Sequence, residues 1–134
     1  MYVIDMKNTF TKEERLCSKV LIDKLFHGGS SFIVYPFRVV YLKLPHQATS
    51  NPAQVIISVS KKRFKRAHNR NRIKRLMREV YRLQKGELLY SKLNKQSLNL
   101  NLAIQYIGKE ELDYSILYQK MNRALIQLVN EVSA

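Results

Sequence analysis

The chain has 134 residues, 46% of them hydrophobic, and a formal net charge of +14, which fits a single domain with one modest core and excludes a disordered tail. A sequence pI near 10.1 points to an anionic partner, either nucleic acid or an acidic membrane surface. No stretch approaches the roughly 18 to 20 apolar residues that cross a bilayer, and a single cysteine, Cys17, excludes an internal disulfide and a multi-thiolate zinc site.

The opening MYVIDMKNTF has an early Asp5 and only a short apolar run, unlike a secretory signal. With the lone thiol, this suits a reducing, cytoplasmic setting. Thr11 and Glu14 have capping-box spacing, and Leu16, Cys17, Val20, Leu21, Leu25 and Phe26 follow at helical intervals until Gly28-Gly29. The spacing predicts a helix from about Lys12 to Phe26, with Cys17 as a small core residue. Phe32 to Leu44 is rich in β-branched and aromatic residues and contains Pro36, which predicts a short strand to Tyr35 and a longer one from Phe37. Phe37, Val39 and Tyr41 then share one face, and Arg38, Val40 and Leu42 the other. A polar, proline-punctuated loop follows, and Val55, Ile57 and Val59 alternate along a third strand.

That strand runs straight into the most charged part of the chain. Lys61, Lys62, Arg63, Lys65, Arg66, Arg70, Arg72, Lys74, Arg75 and Arg78 carry +10 of the formal +14 within eighteen residues, with no acidic residue among them. Ten like charges so close repel one another unless something anionic neutralises them. From about Ala67 the apolar residues Ile73, Leu76, Met77, Val80 and Leu83 recur at helical spacing and cover an arc of roughly 120°. The run is therefore a folded helix with one buried flank and one guanidinium-rich flank, and arginine's planar fork suits phosphate.

Lys85 to Gln96 reads as a polar connector holding a turn of helix around Leu88 to Leu93. Leu98, Leu100, Leu102, Ile104 and Tyr106 alternate with Asn99, Asn101, Ala103 and Gln105, predicting a half-buried strand. Asp113 is a fitting N-cap for a last helix whose stripe is Leu117, Met121, Ala124, Leu125, Leu128 and Val132. The order is helix, three strands, helix, strand, helix: an α+β arrangement with helices covering a sheet, in one domain over residues 1–134.

The order Ser60-Lys61-Lys62, a short basic spacer, Arg66-Ala67-His68, then Arg70-Asn71-Arg72-Ile73-Lys74-Arg75 with Arg78-Glu79 resembles the signature of the bacterial ribonuclease P protein family. FTKEERLCSKVLIDKLFHGG is similar to that family's opening helix, closed by glycine. The resemblance implies a fold like the second domain of ribosomal protein S5, a mixed sheet with a left-handed β-α-β crossover around the basic helix, against the usual hand. It also implies a protein subunit of ribonuclease P. Such a subunit binds the catalytic RNA and the 5′ leader of precursor tRNA and assists endonucleolytic removal of the leader. Mg²⁺ would be held mainly by the RNA and not tightly by the protein, whose cations ease phosphate crowding.

Carried over by position, the resemblance assigns RNA docking to Lys61, Lys62, Lys65, Arg66, Arg70, Asn71, Arg72 and Arg75. It assigns leader contacts to Lys74 and Arg78, to Phe26 as a stacking aromatic, and to Tyr41 if the strand register moves one residue on from Val40. Ile22 stands where some members have a second phenylalanine. Phe26 reads equally as a core aromatic at a helix end.

His27, His46 and His68 are scattered and the acidic residues do not cluster, with Glu110-Glu111 reading as helix-start charges. A metal-dependent protein nuclease needs several carboxylates converging on Mg²⁺. The sequence therefore predicts no catalytic residue and no metal site in the protein itself. A ribosomal-type structural RNA-binding protein without a role in cleavage shares the charge and fold class. A DNA-binding regulator fits worse, because the basic helix leads into a connector and strand and not a helix-turn-helix.

Overall fold

The structure is a computed structural model that describes residues 9–46 and 51–133. Most of the segment read against a secretory signal, and the middle of the proline-punctuated loop, lie outside the described residues. Four strands, β1 (Ser30–Val34), β2 (Phe37–Leu44), β3 (Ala53–Val59) and β4 (Asn99–Tyr106), make one mixed sheet in the order β1-β2-β4-β3. β1 and β2 form an antiparallel hairpin through Tyr35-Pro36, whose peptide bond is cis. β4 pairs antiparallel with β2 and parallel with β3.

Strand alternation sorts the side chains into two cores. Phe37, Val39, Val55, Val59, Leu100, Leu102, Ile104 and Tyr106 point into the larger one. It is closed by α2 (Ala67–Lys85), by a π-turn at Gly86–Tyr90 that continues into α3 (Ser91–Lys95), and by α4 (Tyr114–Val132). The stripe expected for the last helix is buried residue for residue, and Asp113 caps it by accepting from the Ile116 amide. On the opposite face Val40 and Ala103, paired in register, join Leu16 and Leu25 in a smaller core beneath α1 (Lys19–Gly28). Gly29 caps α1 through its amide bond to the Leu25 carbonyl, and only glycine fits there, because a Cβ would run into the carbonyl oxygens of Leu25 and Tyr41.

Three expectations are corrected. The first helix does not run from Lys12: a 3₁₀ turn at Lys12–Glu14 is followed by extended chain, and α1 starts only after Ser18, whose hydroxyl caps it. Arg15 makes a parallel bridge to Val55 and the Leu16 amide donates to the Val55 carbonyl at 2.9 Å, so the backbone is spent on the sheet edge. The break leaves Cys17 exposed and not in the core. Second, β4 is buried on both faces, because helices cover both sides of a central strand. Third, the connector after Lys85 is helical almost throughout and buries Leu89, Tyr90 and Leu93.

Candidate nucleic-acid interface

β3 ends in a tight turn held from inside. The Phe64 amide donates to the Ser60 carbonyl and the Lys62 amide to the Ser60 hydroxyl, both at 3.2 Å. The Phe64 ring is buried edge-on against Tyr106, with centroids 5.8 Å apart. One aromatic anchor thus leaves Lys61, Lys62, Arg63, Lys65 and Arg66 standing in solvent. α2 then starts with no side chain bonded to its first-turn amides, so outward N–H groups add to the field of the cations.

Ile73, Met77, Val80 and Tyr81 root α2 in the larger core, while Asn71, Arg72, Arg75 and Arg78 are exposed and Lys74 is half-buried. Arg70 turns back, its guanidinium donating to the Phe64 and Lys65 carbonyls at 2.8 Å each. It therefore clamps the turn to the helix. Arg72 pairs with Glu111, so that glutamate serves a neighbouring helix instead of the start of its own. The side chains of the other eight cations between Lys61 and Arg78 have no ion-pair or hydrogen-bond partner among the described residues. Glu79 does not dilute them. Its carboxylate binds Arg82 at 2.7 Å, and that bond holds it below the usual carboxylate range.

The eight residues expected to dock RNA thus share one turn and the first three turns of one helix. The four expected to meet a leader do not share a face. Phe26 is exposed on α1, on one side of the sheet. Tyr41 points to the other side, packs on Phe32 and donates to Glu131 of α4 at 2.8 Å. Val40, not Tyr41, faces α1. Lys74 and Arg78 stand on α2, which packs on the Tyr41 side.

The α1 side offers something not singled out in the sequence. Beyond the Val40–Ala103 row, Arg38 donates to Gln105 at 2.8 Å, with Ile33 and Ser58 in register on either side. Ile33 is 59% exposed and the other three are half-buried. This strip lies at the end of β3 that leads into Ser60 and Lys61. Its signal was the position of Arg38 opposite Phe37 and Val39.

Among the described residues no three His, Cys, Asp or Glu side chains come together as metal ligands. A pocket of about 280 Å³ is lined by Asn51, Gln54, Asn99 and Asn101 with one carboxylate, Glu13, which is no set for hydrolysis. No helix among the described residues is long and apolar enough to cross a membrane.

A family model for ribonuclease P matches residues 10–129. The chain is 38% identical over 122 residues to the ribonuclease P protein component of Porphyromonas gingivalis, covering 91% of this chain and 88% of that one. It is 30% identical over 129 residues to that of Petrotoga mobilis, covering 94% and 97%. The solved RNase P protein of Thermotoga maritima superposes with a TM-score of 0.63 at 22% identity, covering 85% of this chain and 96% of that one. The Staphylococcus aureus RNase P protein gives 0.63 at 18% identity, covering 86% and 94%.

Proposed function

This chain belongs to the ribonuclease P protein family, and from that premise we propose that it is the protein subunit of a cytoplasmic ribonuclease P ribonucleoprotein. It docks on the catalytic RNA and on precursor tRNA and assists removal of the 5′ leader. On this reading the β3-α2-β4 crossover takes the left-handed, ribosomal protein S5-like hand.

The observation that carries the reading is the set of unpartnered cations on the turn and α2. Eight positive side chains on a rigid base, with no carboxylate partner among the described residues, suit a phosphate backbone, whose condensed counterions they would release. The leader is assigned to the open strip of Arg38, Gln105 and Ser58 and to Phe26 on α1. The strip supplies polar groups at the mouth of the basic turn, and Phe26 offers an exposed ring for an unpaired base. Tyr41 has no part in this. Mg²⁺ is assigned to the RNA, because the described residues gather no carboxylate cage for it, and the bond-breaking chemistry is assigned there too.

Reconstitution tests the proposal. The protein alone should leave precursor tRNA intact, and adding it to a bacterial ribonuclease P RNA should give 5′ processing at lower Mg²⁺ than the RNA alone requires. Cleavage by protein without RNA would overturn the assignment of chemistry. An unchanged Mg²⁺ requirement would favour a structural RNA-binding role without cleavage.

A further inference from the structure

Of the ten cations from Lys61 to Arg78, only Arg72 is ion-paired among the described residues, and its partner is Glu111. The pair is open to solvent, with side chains 56% and 28% exposed. Arg72 stands one helical turn from the exposed and unpaired Arg75. A phosphate chain lying on Arg75 therefore passes within reach of the Arg72 guanidinium.

The glutamate is held in place by its own loop between β4 and α4. The Tyr106 hydroxyl donates to the Glu110 carbonyl at 2.6 Å and accepts from the Leu112 amide at 3.2 Å, so it brackets Glu111 on both sides. The Lys109 amide donates to the Tyr35 hydroxyl at 3.3 Å. Gly108 packs so closely that a Cβ would come within 2.9 Å of the Tyr106 ring and 3.0 Å of Pro36. The same Tyr106 ring anchors Phe64 beneath the basic turn. One tyrosine thus positions both the cations and the carboxylate that faces one of them. Asp113, not Glu111, caps α4.

A carboxylate offers a guanidinium the same pair of oxygens that a phosphate does. An exposed pair of this kind shifts an equilibrium by only about 1.5- to 5-fold, whereas RNA brings many phosphates at once. We propose that Glu111 is an internal competitor for Arg72: it occupies the guanidinium in the free protein, and an RNA phosphate displaces it on docking. Binding is then weaker than the cations alone would make it. The inference rests on the RNA-docking reading above.

The test is binding of a bacterial ribonuclease P RNA to the full chain at about 0.15 M salt, where exposed charges more than about 8 Å apart are largely screened. Glu111→Gln keeps the side-chain shape and should bind about 1.5- to 5-fold tighter. Glu110→Gln removes the same charge from the neighbouring residue and should bind as wild type. In an Arg72→Ala background, Glu111→Gln should change nothing. An equal gain from Glu110→Gln, or a gain that survives Arg72→Ala, would reduce Glu111 to its share of the net charge and overturn the competition. Weaker binding by Glu111→Gln, with an unchanged circular dichroism spectrum, would make the carboxylate a brace that aims Arg72 at phosphate and would also overturn it. Wild-type binding by Glu111→Gln has the same consequence. A Lys61, Lys65 and Arg75 triple alanine variant decides the docking reading separately: lost binding keeps it and normal binding removes it, whatever Glu111→Gln does.

Discussion

The Lys85 ammonium lies 2.5 Å from the Glu14 carboxylate, and both side chains are almost wholly buried, 1% and 2% exposed. Tyr90 completes the site. Its hydroxyl donates to Glu14 at 2.7 Å, and its ring lies 4.4 Å from the ammonium. The Thr11 amide adds a bond of 2.7 Å to the same carboxylate. One ion pair therefore ties the N-terminal turn to the far end of the basic helix and to the π-turn behind it. It also draws Glu14 away from the helix that its spacing suggested.

Breaking one side of this pair should cost far more than the pair contributes, because the survivor is a buried charge without a counterion. Glu14→Gln is expected to destabilise the fold by roughly 3–5 kcal/mol, and adding Lys85→Met should recover much of it. Urea denaturation of both variants measures this. The pH dependence follows from opposing effects on Glu14. Burial pushes its carboxyl up, but the bonds from Lys85, Thr11 and Tyr90 outweigh it and hold the group below its ordinary value. A depressed folded-state value gives stability that is present above the unfolded value, about 4.3, and is lost as pH falls through the folded one. The acid limb of the wild-type stability curve should therefore be steeper than that of the double variant; parallel limbs would contradict the assignment.

Arg70 should behave differently from Lys65 and Arg75, although all three sit in the same run. Lys65→Ala and Arg75→Ala remove only exposed charge, so each should leave the thermal melt within about 0.5 kcal/mol. Each should also lower the salt slope of RNA binding by about one for every phosphate that the missing cation had neutralised. Arg70→Ala frees the Phe64 and Lys65 carbonyls from their clamp and should loosen the turn as well as weaken binding. Amide hydrogen exchange over residues 60–66 separates the two effects: faster exchange in Arg70→Ala alone is the expected result.

How much of this was legible in the sequence depends on where each backbone group ends up. The basic helix and the last helix were readable because their apolar stripes and the Asp113 cap are local. The break before α1 was not, since Leu16 spends its amide on Val55, a partner far along the chain. β4 misled for a related reason. Its Leu/Asn alternation looks like one wet face, yet α1 covers Ala103 and its neighbours, so polar residues there are buried. Among the site residues, the run from Lys61 to Arg78 was plain from charge alone. The partners Glu111 and Gln105, which decide what Arg72 and Arg38 do, could not be paired without the fold.

Phe26 and Tyr41 give opposite expectations for leader binding. Phe26→Ala removes an exposed ring and should weaken binding of a leader-bearing substrate by about 1–3 kcal/mol if a base stacks there, with leaderless tRNA unaffected. Tyr41→Phe removes the bond to Glu131, costing about 1 kcal/mol of stability without changing the preference for a leader. Comparing affinities for precursor and mature tRNA in both variants checks the pair, and a leader effect from Tyr41→Phe would contradict the face assignment.

Asn101 is the side chain that the fold satisfies least. It is 1% exposed in the central strand, and neither its Oδ1 nor its Nδ2 has a hydrogen-bond partner among the described residues. A buried carboxamide left this way costs about 1–3 kcal/mol. It faces Leu42 across β2 and Gln54 across β3 and borders the 280 Å³ pocket, so a leucine has apolar company on one side and room on the other. Asn101→Leu is therefore expected to raise stability by roughly 1–3 kcal/mol. The pocket opens at the start of β3, away from the turn after its end, so RNA affinity should not change. A loss of stability in the denaturation curve would mean that the carboxamide finds partners in solution, and a loss of RNA affinity would move the pocket into the binding surface.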